Sequence, residues 1–216
     1  VCTGKIYYDL LQARRDAARA EGRLYGIGYS VVVEPSISNM GYITTLLTPE
    51  QRERAGPKNG ALATATVAFD ASGAISVAAS SVPQGQGHRT VLAQVVADVF
   101  QMDPLEVAVA TEHDTAKDPW TIASGNYASR FAGAVAGATH TAAVRLRERL
   151  TVIAAADLNV PPEDVAYGNG RIFATGNPDN SVPLGRSAAK AHWSPLSIPD
   201  AAGAGLRALH ALSSPL

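Results

Sequence analysis

Residues 81–100, "SVPQGQGHRTVLAQVVADVF", place two glutamines, two glycines and a histidine directly ahead of an amphipathic run. Val91, Leu92, Val95, Val96 and Val99 recur at helical spacing, so the run predicts a helix that starts just after Gly87. Glycine lets a backbone approach a neighbour closely and adopt conformations that other residues avoid. A helix that begins after glycines leaves its first amide groups unpaired at the positive end of its dipole. Such a start suits a phosphate or an anionic heterocycle. The glutamines add side chains that donate and accept hydrogen bonds together, as a pterin or nucleobase edge requires. A simple turn ahead of a helix explains the same five residues, and the stretch alone does not separate the two readings.

The flanking sequence sets the fold class. Upstream, "LATATVAFD", a turn at "DASG" and "AISVAASSV" read as a β-hairpin with Gly73 in the turn. Downstream, "LEVAVATE" reads as a strand, and a long helix runs from about Ser129 to Asp157. Its first half is rich in small residues, with Gly133 and Gly137 permitting close approach of a neighbour, and "VRLRERL" in its second half reads as a solvent face. "VPPEDVAYGNGRIFATG" predicts another strand and a tight hairpin at "GNG", and "LGRSAAKAHW" a short helix. Near the start, residues 5–20 read as an amphipathic helix stopped by Gly22, and "RLYGIGYSVVVEP" as a strand ended by Pro35. Residues 36–60 form an irregular excursion, and residues 196–216 have no defined end. Helix followed by "MDPLEVAVATE" is echoed by helix followed by "VPPEDVAYGNG", which we read as two ordinary helix-to-strand turns. Helices and paired strands interleave without a regular βαβ rhythm, so the class is α+β, mixed helices and short sheets, in one segment covering residues 1–216.

Composition narrows function. The chain of 216 residues is 46% apolar and 17% charged, with a formal net charge of −1 and no basic block. That balance argues against nucleic acid or an anionic membrane as the main partner. No apolar run reaches the roughly 18 residues of a spanning helix. A single cysteine, Cys2, rules out an internal disulfide and points to a reducing, cytoplasmic setting. Cys2 has no evident base for a thiol mechanism, and one cysteine cannot hold an iron–sulfur cluster. His88, His113, His140, His192 and His210 show no metal-ligand spacing. Glu112, Asp114 and Asp118 read as a solvated polar loop that also contains Trp120. There is no nucleophile elbow, P-loop or dinucleotide fingerprint.

A second loop repeats the design of the first. "SGNYASRF", residues 124–131, places glycine and small hydroxyl residues ahead of the long helix. Two such helix starts, about 40 residues apart and bracketing a strand, suit convergence on one large phosphate-bearing ligand.

With both loops in view, "QGQGHRTVLAQVVADVFQMDPLEVAVATEHDT" followed by "GNYASR" resembles the molybdopterin-binding large subunit of the xanthine dehydrogenase, aldehyde oxidase and carbon monoxide dehydrogenase family of molybdenum hydroxylases. "YGIGYSVVVEP" and "VPLGRSAAKAHW" extend the likeness, which runs over most of residues 5–195. It implies a cofactor-binding set of Gln84, Gln86, Gly87, His88 and Thr90 from the first loop. From the second it implies Asn126, Tyr127, Ala128, Ser129 and Arg130, after Gly125. Three positions depart from the family pattern: Arg89 replaces a common glutamate, Asn126 a common threonine, and Phe131 a common serine.

The resemblance further implies oxidation of an aldehyde or N-heterocycle with water as the oxygen source. It implies molybdopterin cytosine dinucleotide with molybdenum as the cofactor. FAD and 2Fe-2S clusters are then expected on partner chains, an FAD subunit and an iron–sulfur subunit. The family's Gly-Gly-Phe-Gly loop is not in this sequence, nor is the late Gly-x-Gly-Glu segment that carries its base. No catalytic residue and no metal ligand is therefore assigned to this chain. It reads as a piece of a larger or split subunit, with the remaining part of that subunit among its partners. The competing class is a non-enzymatic α+β module whose glycine loops bind a nucleotide or a protein.

Overall fold

The structure is a computed structural model and describes residues 4–31, 46–55, 61–112, 126 and 129–214. The chain divides into two compact units, Val1–Glu34 and Pro35–Leu216.

In the first unit, α1 covers Gly4–Ala20. Gly22, at φ +71°, closes it in a Schellman pattern: Arg23 N donates to Ala18 O at 2.8 Å and Gly22 N to Arg19 O at 3.0 Å. Residues 23–31 were expected as a strand, but they pair with no strand among the described residues. A strand exists only through a neighbour, and here the segment instead returns to the helix, with the Tyr8 and Tyr29 rings 6.0 Å apart.

The second unit opens with α2, Pro49–Ala55, inside the stretch expected to be irregular. Its start is a capping box: Gln51 Oε1 accepts from Thr48 N, and Thr48 Oγ1 accepts from Gln51 N. The "TPEQ" signature of that box stands among prolines and glycines that otherwise signal irregular chain.

The main sheet has four strands, in the order 107–110, 75–79, 61–69 and 207–214. Strands β1 (Ala61–Phe69) and β2 (Ile75–Ala79) form the expected antiparallel hairpin. Asp70 Oδ1 accepts from Ser72 N and Ala74 N across the turn, and Gly73 sits at φ +84°. A β-carbon on Gly73 would lie 2.1 Å from the carbonyl oxygen of Gly185, so glycine is needed there for space as well as for conformation. From β2 the chain passes through α3 (His88–Phe100) to β3 (Val107–Ala110), which lies parallel to β2. The tail, expected to lack a defined end, supplies β7 (Arg207–Ser214), antiparallel to β1 with Thr66 opposite Leu209.

A five-residue π turn, Phe131–Val135, leads into α4, Ala136–Leu158. The helix expected over 129–157 is therefore present but begins in wider winding. Alanines at 63 and 65 on β1 and at 138, 142 and 143 on α4 are fully buried in one core with Leu92, Val96, Phe100, Leu146 and Leu150. Small residues on both elements let the helix lie close to the sheet. Gly137 meets Leu212 of β7, whereas Gly133, given the same role from sequence, is exposed. Each large aliphatic side chain buried here contributes on the order of 1.5–3 kcal/mol.

"VRLRERL" is also not the plain solvent face expected. Arg149 Nε donates to Ala202 O at 2.8 Å, and its terminal nitrogens reach the carbonyls of Gly203, Ala204, Gly205 and Arg207. Arg147 lies over the Tyr167 ring, 4.4 Å from its centroid. A second sheet, in the order β4-β5-β6, contains β4 (Val165–Gly168), β5 (Arg171–Ala174) and β6 (Asn177–Pro183). Helix α5, Leu184–Trp193, holds the β1–β2 turn through Trp193 Nε1 to Ala71 O at 2.6 Å and His192 Nε2 to Phe69 O at 3.0 Å. The echoed segments prove alike in local conformation. Each helix ends on a left-handed residue, Gln101 or Asn159, and each strand is preceded by a single 3-10 turn, yet the strands join different sheets. The architecture is α+β, as expected.

Candidate functional site

The first loop is built on the end of β2. Ser80 continues the pairing past the strand, its Oγ accepting from Thr64 N at 2.9 Å. Beyond it, residues 84–87 turn outward and are exposed. Gly85 and Gly87 adopt φ +96° and +81°, which side chains disfavour, and a β-carbon on either would meet no atom of the described residues within 4 Å. Conformation, not packing against the described residues, demands these glycines. Gln86 Oε1 accepts from Gln84 N, which folds the loop onto itself, and the Gln86 side chain is exposed. Gly87 is the N-cap of α3 and no side chain caps that helix. The amides of the first turn are left for solvent or a ligand. Thr90, in that turn, is exposed.

His88 differs from its neighbours. It is 1% exposed, and its ring stacks on that of Phe131 with centroids 3.6 Å apart and planes at 8°. Its Nδ1 lies 3.4 Å from Ser81 Oγ. Burial lowers the His88 pKa below the ordinary imidazole value.

The second loop meets the first through Asn126. Ser81 Oγ donates to Asn126 Oδ1 at 2.8 Å, and Asn126 Nδ2 donates to the carbonyl of Val82. Arg130 is fully buried at the foot of the loop, with Nη2 donating to Leu62 O at 3.1 Å on β1. Ser129 is exposed and adopts φ +45°. Tyr127 and Ala128 lie outside the described residues, as do Gly125, Cys2, His113, Asp114, Asp118 and Trp120.

The fold thus joins the two loops that the sequence singled out, 45 residues apart, by direct hydrogen bonds. Two contributors went unread. Ser81 is a buried connector, and its only sequence signal is a serine pair at a strand end. Phe131 was noted as a departure from a pattern, without a role. Arg89, another departure, ties the start of α3 to the end of β3, its Nη2 donating to Thr111 Oγ1 at 2.9 Å and facing Glu112 at 3.4 Å. That exposed ion pair adds little stability.

No group of three or more His, Cys, Asp or Glu gathers among the described residues. A cleft of about 700 Å³ opens at the far end of α3, lined by residues including Asp98, Met102, Glu106 and Asn169. Neither loop lines it, and with acidic groups at a helix C-terminus it is the wrong sign for a phosphate. No helix among the described residues is long and apolar enough to cross a membrane.

The molybdopterin cofactor-binding domain family matches residues 2–211. The large subunit of nicotine 6-hydroxylase from Paenarthrobacter nicotinovorans is 30% identical over 188 residues, which is 87% of this chain and 22% of that protein. Quinoline 2-oxidoreductase from Pseudomonas putida 86 superposes with a TM-score of 0.71 at 29% identity, over 97% of this chain and 25% of that one. Carbon monoxide dehydrogenase from Oligotropha carboxidovorans shares the fold, with a TM-score of 0.70 at 22% identity, again over 97% of this chain and 25% of that chain. The chain therefore spans about a quarter of the length of the relatives it matches. With residues 2–211 matched, and with a relative at 30% identity, the chain belongs to the molybdopterin cofactor-binding domain family.

Proposed function

We propose that this chain supplies part of the pocket wall for molybdopterin cytosine dinucleotide in a molybdenum hydroxylase. The observation that carries the reading is the hydrogen-bonded junction of the two loops, Ser81 to Asn126 and Asn126 to Val82, beside an uncapped helix start. The residues fit the group. Its pyrophosphate suits the free amides of α3 and the open backbone at Gly85 and Gly87. Its heterocyclic edges suit the exposed amides of Gln84 and Gln86. Thr90 and the exposed Ser129 add hydroxyls, with Asn126, Tyr127, Ala128 and the buried Arg130 forming the second wall. His88 completes the set at the seam between the walls.

When bound, the molybdenum centre supplies transfer of a water-derived oxygen to an electron-poor carbon. The chain's own residues bind and orient the cofactor's anionic part and keep its two walls in register. Nicotine 6-hydroxylase and quinoline 2-oxidoreductase are named for N-heterocyclic substrates, so an N-heterocycle fits this chain's relatives better than an aldehyde does. An iron–sulfur subunit, an FAD subunit and the remaining part of the molybdopterin subunit complete the enzyme. A chain with one cysteine suits the cytoplasm.

The test is metal analysis of the purified native complex, with pterin fluorescence after acid oxidation. Molybdenum and pterin in equal amounts support the reading. Neither in any preparation overturns it in favour of a module that binds a nucleotide or a protein.

A further inference from the structure

We propose that His88 and Phe131 are paired positioning residues: the face-to-face stack of their rings sets the spacing of the 84–87 loop against the 126–130 loop, and so governs how tightly the two walls hold the cofactor. This rests on the pocket reading above.

Three observations support it. The His88 ring is buried, so it serves the loops from beneath, while Gln84 and Gln86 are exposed. His88 is the first residue of α3 and Phe131 the first of the π turn, so their contact joins the two helix starts themselves. The hydrogen-bond directions also agree. Asn126 spends its amide protons on Val82 O and accepts from Ser81 Oγ. The Ser81 proton is thereby committed, and Ser81 Oγ is left to accept from His88 Nδ1–H. One network runs from β2 through both loops and ends in the ring stack.

The π turn contributes to this arrangement. Ala136 N donates to Phe131 O, five residues back. One extra residue in a turn rotates what precedes it by roughly 100° relative to continuous α winding. The widened turn begins at Phe131 itself, the residue whose ring lies flat on His88. Asn126 and Phe131, two of the three departures noted in the sequence, are both members of this network.

The experiment uses the holoenzyme complex carrying Phe131→Leu, Phe131→Tyr or His88→Phe, with Ile153→Val as a core control buried elsewhere on α4. Molybdenum and pterin per complex, the rate of cofactor loss to a trap well below the melting temperature, and the melting temperature are all measured. Phe131→Leu is expected to hold at least threefold less cofactor and to release the remainder faster. Phe131→Tyr keeps a flat stack and is expected to retain more than half the wild-type content, while His88→Phe keeps the stack but loses the bond to Ser81 Oγ and is expected to fall between Phe131→Tyr and Phe131→Leu. Wild-type loading in Phe131→Leu overturns the proposal. So does loss in His88→Phe with full loading in Phe131→Leu, which makes His88 a direct contact. If Ile153→Val matches the loading loss of Phe131→Leu at equal melting temperature, the pair is merely structural and the proposal also fails. A wild-type complex without molybdenum and pterin overturns the pocket reading itself.

Discussion

The ring of His88 lies flat on that of Phe131, 3.6 Å between centroids and 8° from parallel, and it is shielded from solvent. Burial of the imidazole in that position lowers its pKa. His210 is lowered as well, by burial and then by the nearby positive charge of Arg145. A base whose folded pKa lies below its unfolded value takes its proton first in the unfolded chain. Stability is therefore present above the unfolded histidine pKa of about 6.5 and is lost as pH falls through and below it. Thermal melts between pH 8 and 5 are expected to show a falling midpoint below about pH 6.5. His88→Phe is expected to flatten part of that slope, and an unchanged slope in this variant counts against a buried neutral His88.

Two glycines are expected to separate by mechanism. At Gly87, a side chain meets open space but a strained φ of +81°. Gly87→Ala should cost the cofactor-free protein about 1–2 kcal/mol, the price of left-handed backbone. Gly73→Ala combines φ +84° with a β-carbon 2.1 Å from Gly185 O, and should cost clearly more. Denaturant midpoints of the two variants check the order. In the complex, Gly87→Val should lower molybdenum content by a larger factor than its melting temperature suggests, because the side chain fills the space beside the loop.

Gln86→Ala should lower molybdenum content through two losses. The loop forfeits its internal bond to Gln84 N, worth about 0.5–1.5 kcal/mol, and the ligand forfeits an exposed amide. Metal analysis of the purified complex is the measurement. Full molybdenum in a folded variant counts against a ligand role for Gln86.

Arg149 reaches five main-chain carbonyls across residues 202–207, at the entry to β7. Arg149→Ala leaves several of them without a donor, and each stranded group costs about 1–3 kcal/mol when water cannot replace it. The net loss should be roughly 2–4 kcal/mol. Hydrogen exchange should show the damage concentrated in residues 200–214, because β7 takes its path from that loop. Uniform loss of protection across both sheets runs against this account.

Local chemistry was enough to read much of this protein from its sequence. Gly87 ahead of a valine-rich helical repeat determined α3, and Asp70 with Gly73 determined the hairpin turn, because each signal acts between residues close in the chain. The two loops were legible as a pair for the same reason: glycine and small polar residues ahead of a helix are a local pattern. Their joining was not legible. Ser81 and Asn126 stand 45 residues apart, and nothing in either stretch declares the bond between them. Tertiary structure alone turned His88 inward onto Phe131, since that depends on the winding of a π turn at another place in the chain. It also made a strand of residues 207–214, whose "RALHALSS" lacks clear alternation and gains its place only from β1 beside it and the Arg149 cage before it. Conversely, 23–31 carries strand-like residues yet pairs with no strand among the described residues, because pairing is a property of two segments and a sequence shows them one at a time.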